Sequence, residues 1–275
     1  LRGVLSHHER RNGLAYLHRG LLSTSADFRS DMSVHKLFSP SASARWIACP
    51  GSMAFPENTA DGGSSTYADD GTATHHWAAK ALQGESFTFP ETIMLNRKEY
   101  TLDDERLARV RTYIEDVRRR AVGGHLFVEQ FVEMPFLGDD EGGTSDAAIA
   151  LPAQRRGVIC DLKDGSGEKV YAGWEGKPNP QLALYALAWL PAFELFGPIK
   201  EFTLVINQPK LDHIDEFTAS VVALKDFEKQ ARHAVELATA AMVAGEQSLT
   251  TAGYLSPGEK QCRWCRAKAR CPALA

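Results

Sequence analysis

Long apolar runs are missing from this sequence: nothing in its 275 residues approaches the roughly 18 consecutive apolar side chains that a membrane-spanning helix needs, so no such span is expected. Cysteine is scarce. There are five, an odd number, and no secretory core precedes them, which argues against a disulfide framework and for a reducing cytoplasm. An excess of positive charge is lacking too. With 31 Lys and Arg against 35 Asp and Glu the net charge is -4, which excludes indiscriminate coating of nucleic acid but leaves room for a local basic track. No phosphate-binding loop is present, because Gly165-Ser166-Gly167-Glu168-Lys169 lacks the spacing and the following hydroxyl and reads as a hairpin tip. What is there, 44% hydrophobic and 24% charged residues, suffices for the core of one globular domain with an appended lobe.

Residues 1–31 are rich in Arg, His and Ser, and their apolar residues never gather. They are expected to be a disordered or non-native leader, with an ordinary protein start at Met32. The domain itself is expected over residues 32–255 and a Cys-rich tail over 256–275.

The residues that carry chemistry gather between 146 and 185. Ser145–Leu151 and Val158–Lys163 are short apolar runs separated by Gln154-Arg155-Arg156-Gly157, the pattern of a hairpin. Side chains alternate along a strand, so Asp161 and Lys163 project to one side while Leu162 turns into the core and offers its backbone carbonyl outward. Asp146, Asp161 and that carbonyl supply oxygen ligands of the kind a hard divalent cation takes. Lys163 can then orient a nucleophile or balance charge growing on phosphate oxygens. An Asp-x-Lys is by itself commonly a salt-bridging strand edge; its neighbours single this one out.

Asn179–Leu190 reads as a helix opened by Pro180, with Gln181 and Tyr185 four apart on one face, where an amide and a phenol can reach the same site. Upstream, Asp70–Leu82 reads as a second helix with turn and cap residues at its entry. It carries His75 and His76, and His75 is the candidate to close the metal shell. Arg118-Arg119-Arg120 ends a further helix, where cations suit the C-terminus without any functional role.

Three further thiols, Cys262, Cys265 and Cys271, follow a C-x2-C-x5-C spacing. A four-coordinate soft-metal site needs one more. Cys160 lies in the Asp161 strand on the opposite face, as a small buried hydrophobe does, which leaves Cys49 before Pro50-Gly51. Such a set would clamp the two ends of the domain across more than 200 residues. Four thiolates suit Zn2+ or an iron–sulfur cluster, and spacing alone does not separate them. Arg263, Arg266, Lys268 and Arg270 interleave with Trp264 as a basic track beside the thiols, readable as a nucleic-acid contact or as a solvated rim.

Taken together, Gly71-Thr-x-x-His75, Gly143-Thr-x-Asp146, Asp161-Leu162-Lys163 and Gln181-x-x-x-Tyr185 resemble the PD-(D/E)XK nuclease superfamily and its RecB-like branch. Val128-Glu129-Gln130 and Asn179-Pro-Gln-Leu also match a phage and prophage family of that type, nearly continuously from Leu37 onward. The resemblance implies a restriction-endonuclease-like α/β fold, a mixed central sheet flanked by helices, with a helical N-terminal part and a C-terminal metal knot. It implies one or two Mg2+ or Mn2+ ions on His75, Asp146, Asp161 and the Leu162 carbonyl, with Lys163 catalytic and Glu129 an outer candidate. Gln181 and Tyr185 would steady the lysine or the phosphate. It further implies a [4Fe-4S] cluster on Cys49, Cys262, Cys265 and Cys271, Zn2+ being the alternative. The expected function is a DNA nuclease, an exonuclease on ends or single strands, in phage DNA recombination, repair or processing within a bacterial cytoplasm. Its partners would be DNA and a phage recombination protein or helicase. The competing expectation is a non-catalytic iron–sulfur DNA-binding or scaffolding module; a third is a zinc-stapled hydrolase of another phosphodiester.

The expected order is helices at 41–49, 72–83 and 104–122, strands at 126–134, 143–151 and 157–163, a helix at 180–196, strands at 200–207 and 213–221, and a helix at 224–244.

Overall fold

A five-stranded sheet with one parallel pair among antiparallel neighbours organises the chain. The computed structural model describes residues 36–55, 66–86, 88–165, 167–250, 252–263, 265 and 267–274. The leader expected over 1–31 lies outside them, as do Ser166, Trp264 and Arg266. Elements follow in the order α1 (Ser43–Ala48), α2 (Thr66–Leu82), β1 (Glu91–Leu95), β2 (Lys98–Leu102), α3 (Asp104–Arg120), β3 (His125–Glu133), β4 (Gly142–Leu151), β5 (Arg156–Leu162), β6 (Gly173–Trp174), β7 (Lys177–Pro178), α4 (Pro180–Glu194), β8 (Glu201–Gln208), β9 (His213–Ser220), α5 (Val221–Ala244) and α6 (Glu259–Arg263).

The central sheet has the strand order β3-β4-β5-β8-β9. β3, β4 and β5 are antiparallel, β5 and β8 parallel, and β8 and β9 antiparallel. This is the mixed α/β sheet that the alternation of strand and helix signals leads one to expect. β5 is central and reads Val-Ile-Cys without polar interruption because both of its faces are covered. Ile159 and Ile206 pack on one side with Leu182, Leu187 and Phe193 of α4, Leu224 of α5 and Trp46 of α1. Val158, Cys160, Leu162 and Val205 pack on the other with Trp77 of α2 and Val110, Tyr113 and Val117 of α3.

Local signals set the helix ends. The Asp103 carboxylate accepts from Arg106 N–H at 2.8 Å, and Asn179 accepts from Gln181 N–H at 3.0 Å with Pro180 in the first turn. α2 begins earlier than expected, at Thr66, and Asp70-Gly71 lies inside it. Asp70 is no cap; it pairs with Arg106 and, at 2.8 Å, with Lys210. The triplet Arg118-Arg119-Arg120 does more than favour a helix terminus: Arg118 donates to the Ala81 carbonyl at 2.6 Å, and Arg120 pairs with Asp116 at 2.9 Å and Glu216 at 2.5 Å. No helix among the described residues is long and apolar enough to cross a membrane.

Candidate metal and phosphodiester site

β5 ends beside β8, and the polar residues collect at that end of the sheet. Asp161 alternates with Cys160 and Leu162, so it faces α4, while burial pushes the Cys160 thiol on the opposite face well above its ordinary range. Its carboxylate is 5% exposed and has Lys163 Nζ at 2.7 Å. Gln181, in the first turn of α4, bridges the two: its Nε2 donates to Asp161 Oδ1 at 2.9 Å and its Oε1 accepts from Lys163 Nζ at 3.0 Å.

β4 brings Asp146 next to them. One of its oxygens accepts from Leu162 N–H at 2.7 Å, and the other lies 3.3 Å from His75 Nδ1 of α2. Glu129 of β3 completes the group, with its carboxylate 3.9 Å from the same nitrogen. His75, Glu129 and Asp146 each offer a ligand atom within 4.8 Å of the others, the one such group of three among the described residues. Glu129 has a left-handed backbone, φ 49°, yet the β3–β4 register is unshifted on either side, Val128 against Ala147 and Gln130 against Ser145. The ladder is broken at Glu129 without an added residue, a local strain of the kind found at functional sites.

Charge coupling explains the protonation tendencies. Burial raises Asp161, reinforced by Asp146 and opposed by Lys163. Burial also raises Glu129. Burial opposes ionisation of Asp146 as well, but His75 and Lys163 together with the Leu162 N–H outweigh it and lower the carboxyl. For His75, burial disfavours the imidazolium, and the carboxylates of Asp146 and Glu129 overcome this and raise it well above 6.5. Lys163 is likewise held above its ordinary range by Asp161 and Asp146 against the cost of burial.

Tyr185 lies beside this group, in side-chain hydrogen-bond contact with Gln181. Its hydroxyl donates to the Thr144 carbonyl at 2.7 Å, and desolvation drives its ionisation far out of reach. It braces the start of β4, and Gly143 makes that approach possible, since a Cβ there would meet the Tyr185 oxygen and Pro40 at 3.0 Å. His76 takes no part in the group; it stacks edge-on to Trp77.

A second constellation lies where the two ends of the domain meet. Cys49, Cys262, Cys265 and Cys271 line one small cavity with Phe55, Leu255 and Ala267. Cys49 Sγ accepts from Ser256 N–H and Cys262 Sγ from Gly258 N–H, both at 3.3 Å. All five cysteines are free. Gly51 allows this meeting, because a Cβ there would come within 2.7 Å of the Tyr254 carbonyl. In the basic track, Arg263 pairs with Glu168, and Arg270 lies 3.7 Å from Glu246 and over the Phe55 ring.

Residues 35–275 match the family described as "Protein of unknown function (DUF2800)".

Proposed function

The chain belongs to the DUF2800 family over nearly all of its length, and from that starting point we propose that it is a metal-dependent nuclease of the PD-(D/E)XK type, RecB-like branch, acting on DNA ends or single strands. The observation that carries this reading is the convergence of His75, Asp146, Asp161, Lys163 and Gln181, from two neighbouring strands and two helices, on one end of the sheet. The mixed β3-β4-β5-β8-β9 sheet with α4 between its parallel strands suits a restriction-endonuclease-like core.

The donor set fits a hard divalent cation. Carboxylate oxygens and one imidazole are the right chemistry, and buried Asp161 Oδ2 has the nearby lysine as charge partner but no aligned hydrogen bond. His75, Asp146, Asp161 and the Leu162 carbonyl would hold Mg2+ or Mn2+, with Glu129 as a further carboxylate. Such a cation, when bound, supplies Lewis acidity toward phosphoryl oxygens and acidifies water.

The protein's own groups do the rest. Lys163 is held charged, so it serves as a fixed positive donor toward oxygens that gain charge in the transition state rather than as a proton acceptor. Gln181 locks its position by holding both it and Asp161, which removes the need to order a flexible side chain when substrate arrives. Gln181 acts on the lysine, and Tyr185 braces both the strand that bears Asp146 and the Gln181 side chain.

For the thiols, four sulfurs lining one cavity suit a [4Fe-4S] cluster, as the family resemblance implies, with Zn2+ the alternative. The N–H···S bonds to Cys49 and Cys262 are of the kind that tune cluster potentials.

The test is digestion of end-labelled oligonucleotides with Mn2+. Wild type is expected to cleave, and Asp161→Ala and Lys163→Ala to lose about 100- to 1,000-fold in rate. Retained activity in either variant overturns the site assignment; DNA binding without cleavage under any divalent metal favours a non-catalytic module.

A further inference from the structure

The hairpin of β6 and β7 presents aromatic side chains to solvent in spite of being firmly built. Tyr171 and Trp174 are 41% and 56% exposed, with ring centres 5.4 Å apart. A two-stranded ribbon this short has no stability of its own. Here it is fixed on both flanks. Val170 N–H donates to Gln208 Oε1 at 2.6 Å and Ala172 N–H to Asp215 Oδ2 at 2.7 Å. Asn179, the cap of the Gln181 helix, donates its backbone N–H to the Ala172 carbonyl at 2.8 Å and its amide to the Tyr171 carbonyl at 2.9 Å. The Tyr171 ring meets His213 edge-on at 5.3 Å. Two adjacent exposed rings on a fixed hairpin make a small contiguous apolar patch, of the kind that marks interaction sites.

Strand register places these rings beside the candidate site. Asp161 pairs with Ile206, and Ile206 with Asp215, so all three face the same side of the sheet. Lys163 and His213, each two residues from a member of that row, face the same side. Leu162 pairs with Asn207, and the next residue of β8, Gln208, pairs with His213. His213 therefore lies level with Lys163 and two strands away, about 10 Å at about 4.8 Å per strand. That gap is within about three nucleotides at the roughly 3.4 Å rise of a stacked strand.

Charge around the rings narrows the occupant. Lys177 is the cross-strand partner of Trp174, and Lys260 Nζ lies 5.8 Å from the Trp174 ring centre. Lys169 precedes the hairpin, with Glu175 at its tip and Glu259 beside Lys260 on the opposing side of the balance, and Glu168 is engaged by Arg263. Aromatic faces flanked by ammonium groups match a ligand with flat bases on one side and phosphates on the other. A duplex hides its base faces. We propose that Tyr171 and Trp174 form a stacking platform for unpaired bases of a single-stranded nucleic acid, which feeds the backbone toward Lys163; this rests on the phosphodiesterase reading of the site.

The experiment measures fluorescence anisotropy of a labelled 12-mer oligothymidylate, and of the same backbone with its central bases removed, against the full chain in EDTA. Wild type is expected to bind the intact strand about tenfold more tightly than Trp174→Ala does, and Trp174→Phe to restore most of the difference. On the abasic strand wild type and Trp174→Ala should bind alike. Equal affinity of both proteins for the intact strand, or an equal loss on both strands, overturns the platform. Circular dichroism and the melting temperature of Trp174→Ala should match wild type, since the ring is exposed. If wild type cleaves with Mn2+ but binding ignores Trp174, the platform alone fails. If binding depends on Trp174 but no metal supports cleavage, the platform stands and the nuclease reading fails.

Discussion

At the residue scale, His75 carries the clearest linkage. Asp146 and Glu129 raise it against the effect of burial, above its ordinary 6.5. A raised folded pKa means that the stability His75 contributes to the metal-free protein is complete below 6.5 and is lost as pH rises through the raised value. A cation on the same nitrogen must displace that proton, so Mn2+ affinity measured by calorimetry is expected to rise with pH over this window, with buffer-dependent heats of proton release. Affinity that stays flat with pH would contradict the role of His75 as a ligand. Gly71 offers a sharper separation of stability from function. It lies one turn before His75 on the same helix face, and a Cβ there would meet nothing within 4 Å. Gly71→Ala should stabilise the helix by about 1 kcal/mol and raise the melting temperature by about 2–4 °C. A raised KM for DNA alongside that gain would show that the open space serves substrate; an unchanged KM would show that it does not. Of these residues, Asp146, Asp161, Lys163, Gln181 and His75 could be read from residue type and spacing. Glu129 came only as part of a motif, because nothing in Val-Glu-Gln announces a left-handed backbone. The partner of the Tyr185 hydroxyl is a backbone carbonyl 41 residues away, and helix periodicity carries no information on that.

At the scale of elements, strong periodicity was legible and weak turn chemistry was not. The helices and strands of the sheet fall within a few residues of where capping residues and apolar alternation place them, apart from the early start of α2. The β1–β2 hairpin was unforeseen. Its turn, Asn96-Arg97, has both residues at positive φ, 47° and 66°, as a tight hairpin requires. Asn suits that geometry, but Arg in the place of the usual glycine masked the signal. Asp70-Gly71 misled in the opposite direction, since a turn-like pair sits inside a helix whose Asp70 is fixed by Arg106 and Lys210. Because the cap of α4 also positions the first turn that holds Gln181, Asn179→Ala is expected to cost about 1 kcal/mol of stability. It should also lower kcat more than Gln181-independent binding of DNA, as read by cleavage and anisotropy on the same preparation. A loss of stability with kcat intact would confine Asn179 to a structural role.

At the scale of the whole molecule, the two ends of the Lys36–Ala275 unit meet at the thiols. Ser256 N–H reaches Cys49 Sγ across 207 residues of chain, and Phe55 packs with Leu249 and Ala267 around them. Closing so long a loop restrains the unfolded chain, so a group bound there stabilises the fold as a whole. Anaerobically purified wild type is expected to be brown, with visible charge-transfer absorption, and Cys49→Ser to lose that absorption together with several degrees of melting temperature. A colourless protein with stoichiometric zinc would overturn the cluster assignment and leave the clamp. The spacing of the cysteines makes their meeting in one cavity legible; which group they would hold is not, because thiolate number alone suits both.

The most direct measurement is calorimetric titration of Mn2+ into metal-free wild type and into Asp146→Asn and Asp161→Asn. The arrangement of His75, Glu129, Asp146 and Asp161 predicts one or two ions bound by wild type and none with comparable affinity by either variant. Wild type that takes up no divalent cation, or variants that bind it equally well, would contradict the claim that these side chains form a metal centre.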